Sequence, residues 1–188
     1  LSVCYKQANN SEPSVKVTLY QGVPKSSKLE DVIQKCTELG ISAICPTLTN
    51  RSVSRPDEKS AKKKKQRYEK IALEAAQQSG RGIVPEIMDM TSLEKAVKND
   101  DSELKILFYE GGGESLKSMI NQDIKSVSIY IGPEGGFEEK EVELIKASGG
   151  KIASARFDHA FRICFGEIFP EIQHFLCGFI RLFRIKPL

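Results

Sequence analysis

A regular alternation of strand-like and helix-like segments constrains the fold of this chain more than any other feature. Strand patterns occupy residues 15–21, 41–49, 83–89, 103–110, 126–132 and 151–155. Helical patterns occupy residues 27–40, 61–80, 92–99 and 138–150, with a turn and a helix over 111–120. Helices placed between strands provide the crossover connections that parallel pairing requires. The alternation therefore predicts an α/β fold with a mostly parallel sheet flanked by helices, in which ligands bind at the carboxyl ends of the strands.

The helix predicted over 27–40 has clear start and stop signals. Ser27 and Glu30 have the spacing of a capping box, and Gly40 is placed to end the helix. The apolar residues at helical spacing are predicted to face the core: Leu29, Val32, Ile33, Cys36 and Leu39. In the helix predicted over 61–80, the corresponding inward residues are Tyr68, Ile71, Ala72, Ala75 and Ala76. These stripes indicate two amphipathic helices that pack on the sheet.

Length and composition limit the class of protein. A chain of 188 residues, 40% of them hydrophobic, is long enough for one full core and too short for two large ones. No stretch has the roughly 18 consecutive apolar residues of a membrane span, and no leader pattern is present, so we expect a soluble, cytoplasmic protein. Five cysteines without a CxxC pair, and no histidine at zinc spacing, argue against a disulfide framework and against a metal site.

The stretch "IYIGPEGGF" (129–137) is a strand-like run that ends in a glycine-rich turn. Glycines at such a turn allow a ligand to approach the backbone closely. A phosphate is disfavoured, because Glu134 lies in the turn and further glutamates follow it. The spacing also matches neither of the common phosphate-binding glycine motifs. A ligand with a neutral or cationic reactive end fits better; the alternative is an ordinary strand-to-helix turn that binds nothing.

Positive charge is concentrated in one segment, although the net charge of the chain is only +3. The cluster consists of Lys59, Lys62, Lys63, Lys64, Lys65, Arg67 and Lys70. Such a run is either a solvated helix face or a surface that contacts phosphates without reading sequence. Arg51, Arg67 and Arg81 are candidates for specific contacts, because a guanidinium can grip a phosphate or stack on a base. For Arg51 the alternative is a surface ion pair.

Several motifs in order resemble one known family. "IGPEGGFEEKEVELI" (131–145) resembles the signature loop of the SPOUT methyltransferases. "IQKCTELG" (33–40), "PTLTNRSV" (46–53) and "RYEKIALEAAQQSGRGIVPEI" (67–87) are similar to successive motifs of the ribosomal RNA small-subunit methyltransferase E (RsmE) family. The resemblance covers residues 15–154. It implies S-adenosylmethionine (SAM)-dependent methylation of a uridine at N3 in 16S ribosomal RNA.

The resemblance also implies an α/β knot, in which the C-terminal segment threads through a loop to form a trefoil around SAM, and a homodimer. The implied cofactor residues are Phe108, Tyr109, Glu110, Ile131, Gly132, Pro133 and Gly135, with the segment after Ser154. Together with the charge run described above, the resemblance makes Arg51, Lys62, Lys63, Arg67 and Arg81 the candidate RNA residues. Uracil N3 carries a proton and lies on the pairing edge, so the base must be unpaired and must lose that proton. Candidate catalytic residues are Glu134, Arg162 and Glu167.

Two departures from the family pattern concern the ends of the chain. Residues 1–14 are too short for the PUA-like RNA-binding domain of the family and are interpreted as its remnant. In the tail, residues 155–188, the sequence "SARFDHAFRICFGEIFPEI" (154–172) stands where the family has a motif that closes over SAM. Seven of the nine phenylalanines also lie there: residues 157, 161, 165, 169, 175, 179 and 183. We interpret the tail as a change of reading frame or a divergent splice, and expect a disrupted closing segment.

Two other functions remain open at this point. A chain that keeps the core but cannot close the cofactor pocket would be a non-catalytic RNA-binding or scaffold protein. A SPOUT enzyme that methylates the ribose 2′-oxygen is a further alternative, although residues 33–87 resemble the RsmE family more closely.

Overall fold

A computed structural model of the protein describes residues 12–25, 27–109, 112–114, 116–119 and 123–154. The strands are β1 (Lys16–Gly22), β2 (Ala43–Leu48), β3 (Glu86–Ile87), β4 (Thr91–Ser92), β5 (Leu104–Tyr109), β6 (Ser126–Ile131) and β7 (Lys151–Ser154). The helices are α1 (Lys28–Leu39), α2 (Glu58–Gln78), α3 (Leu93–Asn99), α4 (Leu116–Met119) and α5 (Glu139–Ala147). The predicted alternation is confirmed, although the strand expected over 83–89 is reduced to the two residues of β3.

The strands of the described residues form a single sheet in the order β3-β2-β1-β6-β5-β7, with β4 also paired to β2. Every described ladder in the sheet is parallel. β1 and β6 are therefore central, and their carboxyl ends lie at the same edge of the sheet. This arrangement confirms the predicted α/β class with a mostly parallel sheet.

Two apolar cores cover the two faces of the sheet. One core joins α1 and α2 to the sheet through residues such as Ile33 and Ala72, which are fully buried. The other joins α3 and α5 through Val97 and Ile145. Alternate residues of a strand point to opposite faces, so Leu19 of β1 belongs to the first core and Tyr20 to the second. The result is a helix, sheet, helix sandwich.

The start of α1 differs from the prediction. Ser27 occupies the N-cap position but makes no side-chain capping hydrogen bond. The Glu30 carboxylate instead accepts a hydrogen bond from Arg67 of α2 at 2.6 Å. The capping box predicted for Ser27 and Glu30 is therefore wrong, because a tertiary ion pair holds the glutamate. Gly40 ends the helix as predicted, with φ of 104°.

The segment after β5 passes along the outer edge of β7. Ala153 pairs with Phe108 of β5 and also with Glu114. The Glu114 N–H donates to the Ile152 carbonyl at 2.9 Å. Because one residue of a strand has a neighbour on each side, β7 lies between β5 and residues 112–114. A Cβ atom on Gly113 would lie 2.5 Å from the Ile152 carbonyl oxygen, so glycine permits this close crossing.

The connection from β5 to β6 thus passes to the far side of β7 before it returns to β6, which pairs with the opposite edge of β5. This path is consistent with the trefoil knot implied by the family resemblance. The knot itself stays a prediction, since the tail lies outside the described residues. The interpretation of residues 1–14 as a domain remnant also stays a prediction, since residues 1–11 lie outside the described residues, as does the tail.

A polar network is buried between the sheet and α3. The Asp100 carboxylate accepts hydrogen bonds from the Tyr130 hydroxyl at 2.6 Å and the Ser128 hydroxyl at 2.7 Å. It also accepts one from the Ser102 N–H at 3.1 Å. The Tyr130 ring stacks on Tyr20, with centroids 4.7 Å apart. Burial and the neighbouring Asp100 carboxylate raise the pKa of Tyr130, which keeps its hydroxyl protonated as a donor.

Arg81 ties together three segments of the chain and is almost entirely buried. Its side chain is 7% exposed and pairs with the Glu12 carboxylate at 2.7 Å. The guanidinium also donates to the carbonyls of Thr37 and Ile41, next to the end of α1. The Glu12 carboxylate accepts further hydrogen bonds from the main-chain N–H groups of residues 82 and 83. The segment that precedes β1 is thereby fixed to the loop that follows α2.

We expect Arg81→Ala to lower the free energy of unfolding by about 2–3 kcal/mol at pH 7, because it removes one partner of a buried ion pair. Partial burial acts to raise the pKa of Glu12, but the hydrogen bonds from Arg81 and the main chain outweigh it, and the pKa is lowered. A lowered pKa adds stability above the unfolded-state value of about 4.3, and this stability is lost as pH falls through the folded-state pKa. The difference between the wild type and Arg81→Ala should therefore shrink in acid.

Urea unfolding at pH 7 and at pH 3.5 measures this difference. Arg67→Ala is the matched control, because Arg67 is 67% exposed in its pair with Glu30 and such exposed pairs contribute about 1 kcal/mol at most. Equal losses for the two variants at pH 7 would contradict a structural role specific to Arg81.

No helix in the described part of the chain is both long enough and apolar enough to cross a membrane. Within the same residues, no group of three or more histidine, cysteine or acidic side chains is placed to hold a metal ion. A groove between α1 and α2 is lined by several carboxylates. Most of them are paired with neighbouring basic side chains, as Glu38 is with Lys35 and Glu74 with Lys70.

Candidate functional site

The glycine loop, residues 132–137, leaves the carboxyl end of the central strand β6 and leads into α5. A turn within it is closed by a hydrogen bond from the Gly136 N–H to the Pro133 carbonyl at 2.8 Å. Gly136 has φ of 68°, in the left-handed region that favours glycine. The loop therefore lies where a parallel sheet usually places its ligand.

Three neighbouring segments hold the glycine loop. From the end of β1, the Gln21 side-chain amide donates to the Gly132 carbonyl at 3.2 Å. From the loop after β1, the Lys25 N–H donates to the Glu134 carboxylate at 3.2 Å. From the loop after β2, an Arg51 Nη atom donates to the Gly135 carbonyl at 2.6 Å. These contacts hold the main chain at Gly132 and Gly135 and the side chain of Glu134 between them.

Arg51 was predicted to contact RNA, with a surface ion pair as the alternative. In the structure its guanidinium donates to the main-chain carbonyl of Gly135 and not to an acidic side chain, and the RNA contact stays a prediction. The side chain also packs on Gly135, where an added Cβ would lie 3.3 Å from the Arg51 Cβ. Arg51 remains exposed overall. It therefore links the glycine loop to a solvent-facing surface.

The start of α5 confirms that acidic residues suit this helix N-terminus. Glu138 and Glu141 form a capping box, in which each side chain accepts from the main-chain N–H of the other. Asn50 joins both, because its N–H donates to Glu141 at 2.8 Å and its side-chain amide donates to Glu138 at 2.9 Å. The helix N–H groups that could attract a phosphate are thus partly used by carboxylates, as the sequence predicted.

The contacts of Glu134, a candidate catalytic residue, argue against a role as a proton acceptor. Its carboxylate accepts from the Lys25 N–H and lies 3.6 Å from the Lys28 ammonium. Partial burial acts to raise the pKa of Glu134, but main-chain N–H groups and Lys28 outweigh it, so the pKa is lowered. A lowered pKa makes a weaker base, and these contacts favour a role in anchoring the loop.

Three of the six loop residues are glycines, of which Gly135 is exposed and Gly132 and Gly136 are half-buried. A Cβ added to Gly132 would lie 2.9 Å from the Gly136 carbonyl carbon. A Cβ on Gly22 of β1 would lie 2.5 Å from Pro133. Next to the loop, Phe108, Tyr109 and Ile131 are half-buried at the ends of β5 and β6. This combination of main-chain groups and adjacent apolar surface fits a ligand such as SAM.

The predicted basic cluster lies on the first turns of α2 and is partly neutralised. Lys62 pairs with Glu58 at 3.0 Å, and Lys65 pairs with Asp89 at 2.8 Å. Lys63 is exposed and forms no salt bridge with an acidic side chain among the described residues. Lys64 reaches back toward the loop after β2, 3.4 Å from the Ser54 hydroxyl.

The remaining candidate residues differ in their exposure and in whether the structure describes them. Arg81 is buried by its contacts with Glu12 and with the end of α1, so its position argues against the predicted RNA contact. Arg67 is exposed in spite of its ion pair and can still reach a ligand. Glu110, Arg162 and Glu167 lie outside the described residues.

Sequence reasoning missed Gln21 and Lys25, which anchor the glycine loop, and Asn50, which holds the start of α5. The only signal for Gln21 was a polar residue in an otherwise buried strand, at its carboxyl end. Asn50 lies in the motif "PTLTNRSV" (46–53), which resembles the family but gave no separate role to this residue. Lys25 acts through its main-chain N–H, which no side-chain pattern reveals.

Comparison with known proteins gives one consistent result. Residues 10–154 match the profile of the RNA methyltransferase domain family. Ribosomal RNA small subunit methyltransferase E from Bacillus subtilis is 40% identical over 149 residues, which cover 75% of this chain and 58% of that protein. The Aquifex aeolicus protein of the same name is 31% identical, over 74% of this chain and 59% of its own length.

A solved structure agrees with these sequences. Ribosomal RNA small subunit methyltransferase E from Neisseria gonorrhoeae, bound to S-adenosyl methionine, superposes with a TM-score of 0.78 and 25% identity. The superposition covers 92% of this chain and 68% of that one. The chain thus spans about three fifths of the length of the curated relatives. With the parallel sheet and the glycine loop described above, these matches show that the chain belongs to the RNA methyltransferase domain family, in the group of ribosomal RNA small subunit methyltransferase E.

Proposed function

We propose that this chain is the methyltransferase core of a SAM-dependent enzyme that methylates N3 of a uridine in 16S ribosomal RNA. The observation that carries the proposal is the glycine loop, which three segments hold at the carboxyl end of the central strands, beside the half-buried apolar side chains of Phe108, Tyr109 and Ile131. The relatives named for ribosomal RNA methylation and the relative with bound S-adenosyl methionine support it.

The cofactor would lie against the glycine loop and the ends of β5 and β6. Ile131, Gly132, Pro133 and Gly135 would supply main-chain and apolar contacts. Phe108 and Tyr109 would supply the adjacent apolar wall. SAM provides an electrophilic methyl group on a sulfonium centre, so the protein has to supply placement and an environment that tolerates positive charge. The glutamates at the start of α5 supply that environment.

The RNA would approach from the loop after β2 and the first turns of α2. Arg51 would connect this RNA surface to the cofactor site, because its guanidinium binds the Gly135 carbonyl and the residue is exposed. Val53 is 69% exposed, an unusual position for an apolar side chain, and Arg55 lies two residues further along. Val53 thus lies between two arginines in the sequence, and an exposed apolar side chain near basic residues suits an unpaired base with its flanking phosphates. Lys62, Lys63 and Arg67 extend the same surface along α2.

Charge reversal in the basic cluster should weaken RNA binding. For Lys62→Glu combined with Lys63→Glu, we expect lower affinity for a 16S fragment and a log–log salt slope reduced by about one to two units, up to one for each lost phosphate contact. Filter binding at several salt concentrations measures the slope. Lys95→Glu combined with Lys98→Glu on α3 is the control, since it changes the charge equally on the other face of the sheet. An unchanged slope in the first variant would make the cluster a solvated helix face.

Two measurements test the proposed function. Calorimetric titration of SAM into the purified chain should release heat that saturates at one equivalent; no saturable heat would favour the scaffold alternative. Nucleoside mass spectrometry of 16S RNA treated with the chain and SAM should then show 3-methyluridine. Ribose methylation instead would identify the 2′-oxygen enzyme.

The setting of this activity follows from the same proposal. Because the substrate would be ribosomal RNA or the small-subunit particle, we infer that the protein works in the cytoplasm. We also infer a homodimer, as the family resemblance implies, and sedimentation equilibrium of the full chain tests it.

A further inference from the structure

Gln21 is a buried polar residue that the sandwich architecture does not require. Its accessible surface is 0%, and it lies at the carboxyl end of β1, paired with Pro46 and Ile131. Leu19, two residues earlier on the same face, belongs to the apolar core between the sheet and α1. An apolar residue at position 21 would continue that core.

The contacts of the Gln21 amide define its orientation. The Nε2 group donates to the Gly22 carbonyl at 3.0 Å and to the Gly132 carbonyl at 3.2 Å. Exchanging the nitrogen and oxygen of the amide would place an oxygen against both carbonyls, so the orientation is fixed by its partners. The Oε1 atom is buried without a hydrogen-bond partner among the described residues.

A buried acceptor left open destabilises a folded chain, and a native structure retains few of them. Here the open acceptor belongs to the side chain that holds the first carbonyl of the glycine loop. Gly22, the next residue of β1, packs directly against Pro133 of the glycine loop, because there is no room for a Cβ at this position. Gln21 and Gly22 therefore form the support beneath the Gly132-Pro133 peptide.

We propose that Gln21 is a positioning residue of the cofactor site. Its Nε2 sets the direction of the Gly132 carbonyl, and with it the course of the glycine loop against which the ligand lies. This inference extends the proposed function and depends on it only for the identity of the ligand, SAM. The support of the loop by Gln21 is independent of that identity.

Gln21→Met tests the positioning role, because methionine keeps the length of the side chain and removes both hydrogen-bonding groups. We expect SAM affinity to fall about tenfold or more, the effect of losing one or two buried hydrogen bonds. Thr37→Val is the matched control: Thr37 is equally buried and donates only to Ile33 within α1. Its SAM affinity should stay within twofold of the wild type. Calorimetry gives the affinities, and urea unfolding shows that both variants fold.

Gln21→Glu adds a readout that a purely structural role would not produce. An ionised carboxylate would face the Gly22 and Gly132 carbonyls, whereas the protonated form can donate to one of them. The ratio of variant to wild-type SAM affinity should therefore rise as pH falls from 8 to 5. A constant ratio across this range would overturn the assigned orientation of the amide.

Hydrogen exchange separates this inference from the proposed function. In the chain without ligand, Gln21→Met should speed exchange of the Gly136 N–H, which closes the turn of the glycine loop. If the wild type binds no SAM but this exchange accelerates, the proposed function fails and the support role stands. If the wild type binds SAM and Gln21→Met binds within twofold of it, or if the exchange is unchanged, the positioning role is wrong.

Discussion

Gly132→Asp is expected to lower the affinity for SAM by about a hundredfold or more, which corresponds to about 2.7 kcal/mol of binding free energy. The new Cβ would lie 2.9 Å from the Gly136 carbonyl carbon and 3.0 Å from its Cα, both main-chain atoms. The loop must therefore shift before the side chain fits. The carboxylate would then occupy the surface that the ligand contacts. Gly132→Ala introduces the clash without the charge and should reduce the SAM affinity less than Gly132→Asp does.

Gly80→Asp is the control for this prediction. Gly80 lies after α2, has nothing within 4 Å of an added Cβ, and has φ of 69°, a conformation that aspartate tolerates better than most residues. Calorimetry should give the control an affinity close to that of the wild type. A folded Gly132→Asp chain that binds SAM within threefold of the wild type would refute the assignment of the glycine loop as the cofactor site.

The largest expected loss of stability belongs to Asp100→Ala. The change would leave the Tyr130 hydroxyl, the Ser128 hydroxyl and the Ser102 N–H without their acceptor. Each buried donor without a partner destabilises the chain by about 1–3 kcal/mol. Ser128 can turn to Ser102, whose hydroxyl is 2.6 Å away, so we expect a total of about 3–5 kcal/mol.

Urea unfolding at pH 7 measures this loss. Asp101→Ala is the neighbouring control, because Asp101 is exposed, and a surface change of this kind alters stability by about 0.5 kcal/mol at most. The stability lost by Asp100→Asn should lie between the losses of these two variants, since the asparagine carbonyl oxygen can still accept a hydrogen bond from one hydroxyl. If Asp100→Ala and Asp101→Ala unfold at the same urea concentration, the buried network does not stabilise the fold.

Local patterns predicted the sheet and the helices because each element carries its own signal. The inward stripe of α1 and the stop at Gly40 depend on residues close together in sequence, and both are confirmed. The acids at the start of α5 were predicted for the same reason. The glycine loop could be predicted as the candidate site because a buried strand, a glycine turn and a helix follow one another without interruption.

Contacts between distant segments were not predictable from those patterns. Glu30 had the spacing of a capping residue, but Arg67, 37 positions later, holds it instead. Arg81 looked like a surface arginine because nothing near it in sequence shows that Glu12 and the end of α1 enclose it. Asp100 and Tyr130 meet only after the sheet has formed. In each case the deciding partner comes from another element.

The position of β7 imposes an order on folding. This strand is the last of those described, and it lies between β5 and residues 112–114, inside the connection that leads to β6. During translation, the first six strands leave the ribosome before β7 does, so β7 is the last of the described strands that can pair. Its partners, β5 and residues 112–114, are distant from it in sequence, and such non-local pairing forms slowly because the entropy of loop closure is lost before the contacts form. We therefore expect refolding from urea to end in a slow phase set by the pairing of β7.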